Sequence, residues 1–154
     1  EYLDEHHHLH QLVASSTIFH NNRVLLVQRS SQEKSYKSYW EIPGGSCEFT
    51  DASILHAAAR EVFEETGLHV SHFRCQLGEG LHFETGPTVK RKQWMKFTFD
   101  VEVEEAEVPL NPEEHQKWVW AMEEEVKQDK AGKFRLIWIA PAQKDIILEG
   151  FARR

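Results

Sequence analysis

Residues 44–68 read GGSCEFTDASILHAAAREVFEETGL, and this stretch decides the fold. Two glycines open it, a short acidic loop follows, and a run with helical periodicity ends at Gly67, a residue that suits the left-handed position after a helix. The periodicity predicts a helix over residues 52–66. Four apolar residues at helical spacing form its core-facing stripe: Leu55, Ala58, Ala59 and Val62. Such a stripe needs a second layer, so we expect the flanking segments to supply a sheet.

Three glutamates of the same helix, Glu61, Glu64 and Glu65, have spacings that bring side chains together on one face. Like charges at this spacing are destabilising, so helix stability alone does not explain them. We expect them to lie off the apolar stripe and to bind a hard divalent cation, because Mg²⁺ prefers oxygen ligands. A solvated acidic face is the alternative, but it leaves the paired glycines, Arg60 and Gly67 unexplained.

The residues just before the helix carry predictions of their own. Asp51 can cap the helix, since its carboxylate can accept hydrogen bonds from unpaired backbone N–H groups. Gly44 and Gly45 permit backbone conformations closed to other residues, and they allow a ligand to approach closely. An ordinary turn is the alternative for the two glycines.

Length and composition are those of one domain, residues 1–154, large enough to bury a core. The net charge of −7 argues against duplex nucleic acid and membranes as partners, but bound cations would admit a small phosphorylated nucleotide. Cys47 and Cys75 give no disulfide framework and suit a reducing compartment, so we expect a cytoplasmic protein. Residues 1–11 are predicted to be a flexible N-terminal segment, and the sequence permits a homodimer.

Segments on both sides of the helix have the β-branched and aromatic composition of strands. A hairpin turning at Asn21-Asn22 is predicted, residues 78–89 read as a loop or a loosely paired ribbon, and the strict alternation of residues 97–103 predicts one buried face. The predicted strands are 12–19, 24–28, 70–77, 97–103 and 117–122, and the later helices are 123–128 and 141–151. Mixed strands with one central and one terminal helix predict an α/β sandwich.

Residues 45–68 resemble the Nudix box, whose pattern is G-x5-E-x7-R-E-U-x-E-E-x-G-U, with U a bulky aliphatic residue. The second half matches in full, from Arg60 to Leu68. The first half departs twice: Asp51 stands in the first glutamate position, and eight residues instead of seven separate it from Arg60. The role of that glutamate is open between Asp51 and Glu48. The Trp-Glu-Ile-Pro-Gly-Gly segment that leads into the box also resembles the family.

The resemblance implies a Nudix-type α/β/α sandwich with a mixed β-sheet. It also implies hydrolysis of a nucleoside diphosphate linked to another group, with Mg²⁺ or Mn²⁺ neutralising the phosphates and activating water. Carried over by position, the implied metal ligands are the Gly45 carbonyl, Glu61, Glu64 and Glu65.

Two further roles follow from the resemblance. Arg60 is expected to orient a glutamate through an ion pair, and one of the helix glutamates or a later one is expected to act as general base. The family often uses a glutamate outside the box, for which Glu114 is the candidate and Glu113 its near-equal competitor. Plain loop carboxylates are the alternative for both.

The substrate is the least determined feature. A nucleoside triphosphate or similar small nucleotide is the default expectation, with ADP-ribose or a dinucleoside polyphosphate as alternatives. A nucleotide sensor without turnover and a prenyl-diphosphate isomerase are alternatives from other classes. Trp94 or Phe83 is a candidate for stacking on a base. Cys47 is assigned no role, and His56 and His115 are expected to be surface residues.

Overall fold

A β-sheet with helices on both faces is built by residues 2–33, 37–109 and 115–154, which the computed structural model describes. The strands are β1 (Gln11–His20), β2 (Arg23–Arg29), β3 (Trp40–Glu41), β4 (Gly44–Ser46), β5 (Val70–Thr85), β6 (Lys92–Val103), β7 (His115–Ala121), β8 (Lys130–Ala131) and β9 (Phe134–Arg135). The helices are α1 (Tyr2–Glu5), α2 (Ile54–Thr66), α3 (Glu123–Lys127) and α4 (Pro141–Ala152), with a 3₁₀ turn at Thr88–Lys90. Within these described ranges, no helix has the length and apolar character needed to cross a membrane.

Strand β1 is the centre of the sheet. It runs parallel to β6 over nine paired positions, from Gln11 beside Trp94 to Phe19 beside Glu102. Its first half also pairs antiparallel with β4, and its last residues pair antiparallel with β2. β2 pairs antiparallel with β3 and β7, and β6 with β5. This combination of parallel and antiparallel pairs confirms the expected mixed sheet.

Helices cover the two faces of the sheet, which confirms the expected α/β/α sandwich. α2 packs on one face, where Ala58 and Val62 share a core cluster with Val101 of β6. α4 packs on the other face, where Ile147 shares a second cluster with Phe19 of β1. The two clusters supply the apolar burial on which the domain depends.

The alternating strand β6 is buried on both faces, so the prediction of one buried face is wrong. Phe99 and Val101 face α2 as expected. Thr98 and Asp100 on the opposite face are only 4% and 0% exposed. The reason is the second helical layer, formed by α4. Arg154, which follows this helix, contacts Asp100.

Ser53, and not Asp51, caps α2. The helix begins at Ile54, and the hydroxyl oxygen of Ser53 accepts a hydrogen bond from the backbone N–H of His56 at 3.2 Å. The expected Asp51 cap is therefore wrong, and the Asp51 carboxylate is used elsewhere in the site.

The far end of α2 follows the prediction, but its buried stripe is rotated. Gly67 has φ 73° and donates its N–H to the Phe63 carbonyl at 2.8 Å, which is the expected left-handed ending. Leu55 is 40% exposed, whereas Ala57 is buried. At the start of the helix, the buried stripe therefore includes Ala57 in place of the predicted Leu55.

Strand β5 continues to Thr85 through the segment predicted as a loop or a loosely paired ribbon. Its pairing with β6 shifts register between Leu77 and Leu81, where Gly78 and Gly80 have φ of 67° and 102°. The glycines thus support a bulge inside a long strand, which the ribbon alternative describes better than the loop.

The N-terminal residues lie against the sheet. Leu9 is buried, and the Tyr2 ring in α1 contacts Phe97 edge-on with 5.3 Å between ring centroids. The flexibility of residues 1–11 stays a prediction.

Candidate active site

The paired glycines form strand β4, which is pinned between β1 and α2. Neither Gly44 nor Gly45 has positive φ, so the expectation of unusual backbone geometry is wrong. Glycine is required at both positions because there is no room for a side chain. A Cβ at Gly44 would fall 2.7 Å from Ser15 Cβ, and a Cβ at Gly45 would fall 2.5 Å from both carboxylate oxygens of Glu61. The Glu61 carboxylate therefore lies directly against the backbone of Gly45.

Glu65 lies on the buried side of α2, and the expectation that it stands off the core-facing stripe is wrong. Its side chain is 6% exposed, and its Oε2 accepts a hydrogen bond from the N–H of Gly44 at 2.8 Å. This bond ties the helix to the glycine strand. A buried carboxylate is expensive without such a partner.

Arg60 connects the acidic loop to the helix through hydrogen bonds to both. It binds Asp51 with two parallel hydrogen bonds, from Nε and Nη2, each 2.9 Å long. Its Nη1 reaches the Glu61 carboxylate at 2.9 Å and the Glu64 carboxylate at 3.0 Å, and Nη2 also donates to the Ser46 carbonyl at 3.1 Å. Bidentate pairing of this kind is both strong and directional.

Asp51 and Arg60 each stabilise the charged form of the other. The hydrogen bonds from Arg60 lower the pKa of Asp51 below its ordinary value of 3.8, and the same bonds raise the pKa of Arg60. Asp51 also accepts the N–H of Glu48 at 2.8 Å, whereas the Glu48 carboxylate stands 3.7 Å from Arg60. In this geometry Asp51 organises the loop and Glu48 stays at its edge.

Among residues 2–33, 37–109 and 115–154, no three His, Cys, Asp or Glu side chains converge closely enough to hold a metal ion as they stand. Two of the expected ligands, Glu61 and Glu64, are hydrogen-bonded to Arg60 instead. Their chemistry nevertheless fits a hard divalent ion, because carboxylate and carbonyl oxygens are its preferred ligands. The Glu61 carboxylate pressed against Gly45 already brings a side-chain and a backbone source of oxygen together.

Two of the proposed acids fall outside the described residues. Glu114 and its competitor Glu113 lie in the interval 110–114, so their places in the site stay predictions.

A buried histidine was missed by the sequence reading. His115 is 2% exposed, not on the surface as expected, and its Nε2 lies 2.8 Å from Glu41 Oε1. Arg29 donates to the same carboxylate oxygen at 3.3 Å. His56 is exposed, as predicted. The strand pattern gave no signal for it, because burial does not alternate along β7 and its pairing with β2 shifts register beside His115.

Two of the cavities among the described residues lie on opposite faces of the sheet. The larger, of about 770 Å³, lies between α1 and the box loop and is lined by Tyr2, Cys47 and Phe49 among others. Burial is the main cause that raises the pKa of Cys47 to about 11, so its thiol stays protonated at neutral pH. The smaller, of about 200 Å³, lies between β6, the bulge of β5 and the start of α4, and Lys96 and Gln143 line it.

The two aromatic candidates for base stacking contact each other. The rings of Phe83 and Trp94 stack with centroids 5.7 Å apart and planes 8° from parallel. They sit at the far end of the β5–β6 pair, and neither lines the smaller cavity.

Known proteins resemble this arrangement in sequence and in structure. The family profile of the NUDIX domain matches residues 9–140. The crystal structure of the MutT protein from Methanosarcina mazei Go1 superposes with a TM-score of 0.67 and 26% identity, covering 94% of each chain. A Caenorhabditis elegans Ap4A hydrolase complex superposes with a TM-score of 0.59 over 94% of this chain and 96% of that one, but at 19% identity it shows the fold alone.

A curated relative matches over a shorter stretch. The m7GpppN-mRNA hydrolase NUDT17 of Danio rerio is 43% identical over 51 residues, which is 33% of this chain and 17% of that protein. The matched part therefore represents a small share of the relative's length.

Proposed function

Because this chain belongs to the NUDIX family and is a hydrolase acting on phosphoric anhydrides, we propose that it hydrolyses a nucleoside diphosphate linked to another group. Nudix enzymes act on small nucleotide substrates and generally use divalent metal ions. A nucleoside triphosphate or a similar small nucleotide is the proposed substrate, and Mg²⁺ or Mn²⁺ is the proposed metal.

The observation that carries the proposal is the excess of acid around Arg60. Within the described part of the chain, this one guanidinium meets four carboxylates, those of Glu48, Asp51, Glu61 and Glu64. One cation cannot neutralise four anions, so the cluster favours a further positive charge. A phosphate bridge needs that same charge to approach these acids.

Each residue of the cluster receives a proposed role. Glu61, Glu64, Glu65 and the Gly45 carbonyl would hold the metal, which when bound neutralises the diphosphate and acidifies water. Arg60 would orient Glu61 and Glu64 by its hydrogen bonds, which are in place in this structure. Asp51 would in turn fix Arg60. Glu114 is proposed as the further glutamate, and the general base is one of the glutamates of the site.

The test is a substrate panel with product identification. Purified protein is assayed with Mg²⁺ or Mn²⁺, and with chelator as control, on nucleoside triphosphates, ADP-ribose and dinucleoside polyphosphates. Reaction in ¹⁸O-labelled water shows which phosphorus is attacked, because the label stays with that product. Metal-dependent cleavage of a phosphoric anhydride is expected. Nucleotide binding without cleavage of any member would support the sensor alternative and overturn the proposal.

A second candidate substrate is a capped dinucleotide of the m7GpppN kind. The 43% identity to a cap hydrolase over 51 residues favours it, although that stretch is 17% of the relative. The net charge of −7 limits contact with a long RNA, so we include the free dinucleotide in the panel.

We also propose a cytoplasmic location. Cys47 and Cys75 are both free thiols in the fold, as a reducing compartment would keep them.

A further inference from the structure

The hairpin of β8 and β9 concentrates positive charge on an acidic chain. The two strands pair antiparallel around a turn at Gly132 and Lys133, and their register sets Lys130 directly opposite Arg135. Like charges in directly opposite cross-strand positions are destabilising, so the stability of the hairpin does not explain this pair. The net charge of −7 means that these cations stand against the overall charge of the protein.

Two more lysines are held beside this pair. The ammonium groups of Lys117 and Lys133 each lie 5.5 Å from the centroid of the Phe134 ring. A cation at this distance is attracted to the ring, so both side chains are kept close to the hairpin. We call this set of four cations the basic patch: Lys117, Lys130, Lys133 and Arg135.

The cations of the basic patch lack acidic partners. All four are exposed, and none forms an ion pair with a residue that the structure describes. Lys127 nearby, by contrast, pairs with Glu123 at 2.9 Å. Lys144 pairs with Asp129 at 2.8 Å, and this is the acid on which the charge of Arg135 also acts. The charge of the patch is therefore available to an anion from outside the fold.

The patch is connected to the candidate active site through Trp40. The rings of Trp40 and Phe134 contact each other with 5.3 Å between centroids. Trp40 and Gly45 belong to one short segment, so at most about 18 Å separates their Cα atoms. A single strand of several nucleotides covers such a distance from the box to the patch.

We propose that the basic patch binds the sugar-phosphate backbone of a single-stranded nucleic acid whose terminal nucleotide lies at the box. The inference rests on the proposed hydrolysis of a nucleotide linked to another group, and it makes that group an oligonucleotide. Single-strand-binding surfaces use positive charge along the backbone in this way, largely without regard to base sequence. The small nucleotides of the substrate panel then represent the end of a longer substrate.

The nature of the box favours this partner over other polyanions. An acidic peptide or an anionic membrane also presents negative charge, but neither is joined to a phosphoric anhydride that the box would hydrolyse. The acidic remainder of the surface confines the contact to a few nucleotides, in keeping with the net charge of −7.

Binding is tested by fluorescence anisotropy with a labelled oligouridine RNA of about 12 nucleotides, within the range of single-strand sites. Chelator is present to prevent turnover, and the salt concentration is varied. Each phosphate contact on a single strand contributes about 0.7 to the slope of log K against log salt. Lys130→Gln combined with Arg135→Gln removes two contacts, so the slope should fall by about 1.4 and the affinity at low salt by about tenfold or more.

A matched control keeps the same net charge as this double variant. Lys90→Gln combined with Lys92→Gln removes two exposed cations at the far end of the β5–β6 pair. It should leave both the slope and the affinity unchanged. All four positions are exposed, so the melting temperature of either double variant should stay that of the wild type.

Turnover gives a second comparison, between a 5′-triphosphorylated RNA of the same sequence and UTP. With metal present, wild-type kcat/KM should be about tenfold higher for the RNA, mostly through KM, because the added contacts are made by bound substrate. The ratio should fall close to one in the patch variant, with kcat/KM for UTP unchanged.

Each outcome decides the surface separately from the hydrolysis. Salt-dependent binding of RNA that only the patch variant weakens supports the surface. No binding of RNA, or equal binding by wild type and both variants, overturns the surface and leaves the proposed hydrolysis standing. Preferential binding of polyglutamate or of phosphatidylserine vesicles overturns nucleic acid as the partner. Patch-dependent binding of RNA without metal-dependent cleavage of any nucleotide supports the surface and overturns the hydrolysis.

Discussion

Arg60 and Arg154 each gather carboxylates, but in different proportions. In the described part of the chain, Arg60 alone faces Glu48, Asp51, Glu61 and Glu64. Arg154 contacts Asp100 at 2.5 Å and Glu102 at 3.1 Å, and Arg74 contacts the same two acids at 3.8 and 3.3 Å. The first cluster is left with an excess of negative charge, and the second is balanced.

The surroundings of the two clusters differ in the same sense. Glu64 in the first is 54% exposed and can change partners, whereas Asp100 in the second is fully buried. Arg154 also lies over the Phe19 ring, with its guanidinium carbon 3.8 Å from the centroid. The comparison suggests that unbalanced, accessible acid serves a bound cation, and balanced, buried acid holds the terminal helix to the sheet.

The largest expected effect is on turnover at the unbalanced cluster. Glu61→Gln and Glu64→Gln should each lower kcat by roughly 100-fold or more, because each removes a proposed metal ligand while keeping the side-chain volume. Steady-state kinetics with the identified substrate measures this, and thermal melting checks that each variant is folded. Glu124→Gln, an exposed acid on α3, is the matched control. Near-normal activity in both site variants would contradict the assignment.

The balanced cluster should respond in stability and not in chemistry. Arg154→Gln should lower the free energy of unfolding by about 3 kcal/mol, since it leaves the buried Asp100 carboxylate poorly paired. Its neighbour Arg153 pairs with Glu149 on the surface of the same helix, so Arg153→Gln should cost less than about 0.5 kcal/mol. Urea titration measures both. A large loss of kcat in folded Arg154→Gln would show that the second cluster also serves catalysis.

Metal should stabilise the protein through the first cluster only. At a concentration about 100 times the dissociation constant, a bound ion adds about 2.7 kcal/mol, or roughly 5–10 °C in melting temperature for a chain of this size. Wild type and Arg154→Gln should show the same increase on addition of Mg²⁺ or Mn²⁺. Glu61→Gln should show little. An equal increase in all three would place the ion away from Arg60.

Acid titration gives the smallest and most specific contrast. Hydrogen bonds from Arg60 lower the pKa of Asp51 below its ordinary 3.8, so its contribution is present above pH 3.8 and is lost below it. Burial raises the pKa of Asp100, so protonation relieves a penalty as pH falls toward 3.8 from above. Unfolding measured from pH 6 to pH 2.5 should show a shallower acid loss below 3.8 in Asp51→Asn. Asp100→Asn should lack the gain in stability that the wild type shows as pH falls toward 3.8. Profiles identical to that of the wild type in both variants would refute both assignments.

The sequence predicts the position of the acids along the helix better than their surroundings. The periodicity correctly predicts the helix and its ending at Gly67, because these depend on neighbours in the chain. It does not reveal that Glu65 points toward the glycine strand, or that His115 is buried against Glu41, because both depend on strands brought together by the fold. The same holds for the cap, where Ser53 serves because Arg60 engages Asp51.

The smaller cavity could not be predicted from the sequence, for a related reason. Lys96 lies in an alternating strand where a charged residue ordinarily indicates the solvent face. The packing of α4 and of the β5 bulge on that face encloses Lys96 and Thr98. A second layer cannot be inferred from the alternation of one strand.

The close approach of Gly45 to Glu61 predicts that added bulk alone would displace one of the proposed metal ligands. One added methyl group at position 45 would occupy the volume of the carboxylate, with the net charge and every acid of the helix unchanged. An acid-to-amide change alters charge at nearly constant volume, so Gly45→Ala is its complement, a change of shape at constant charge.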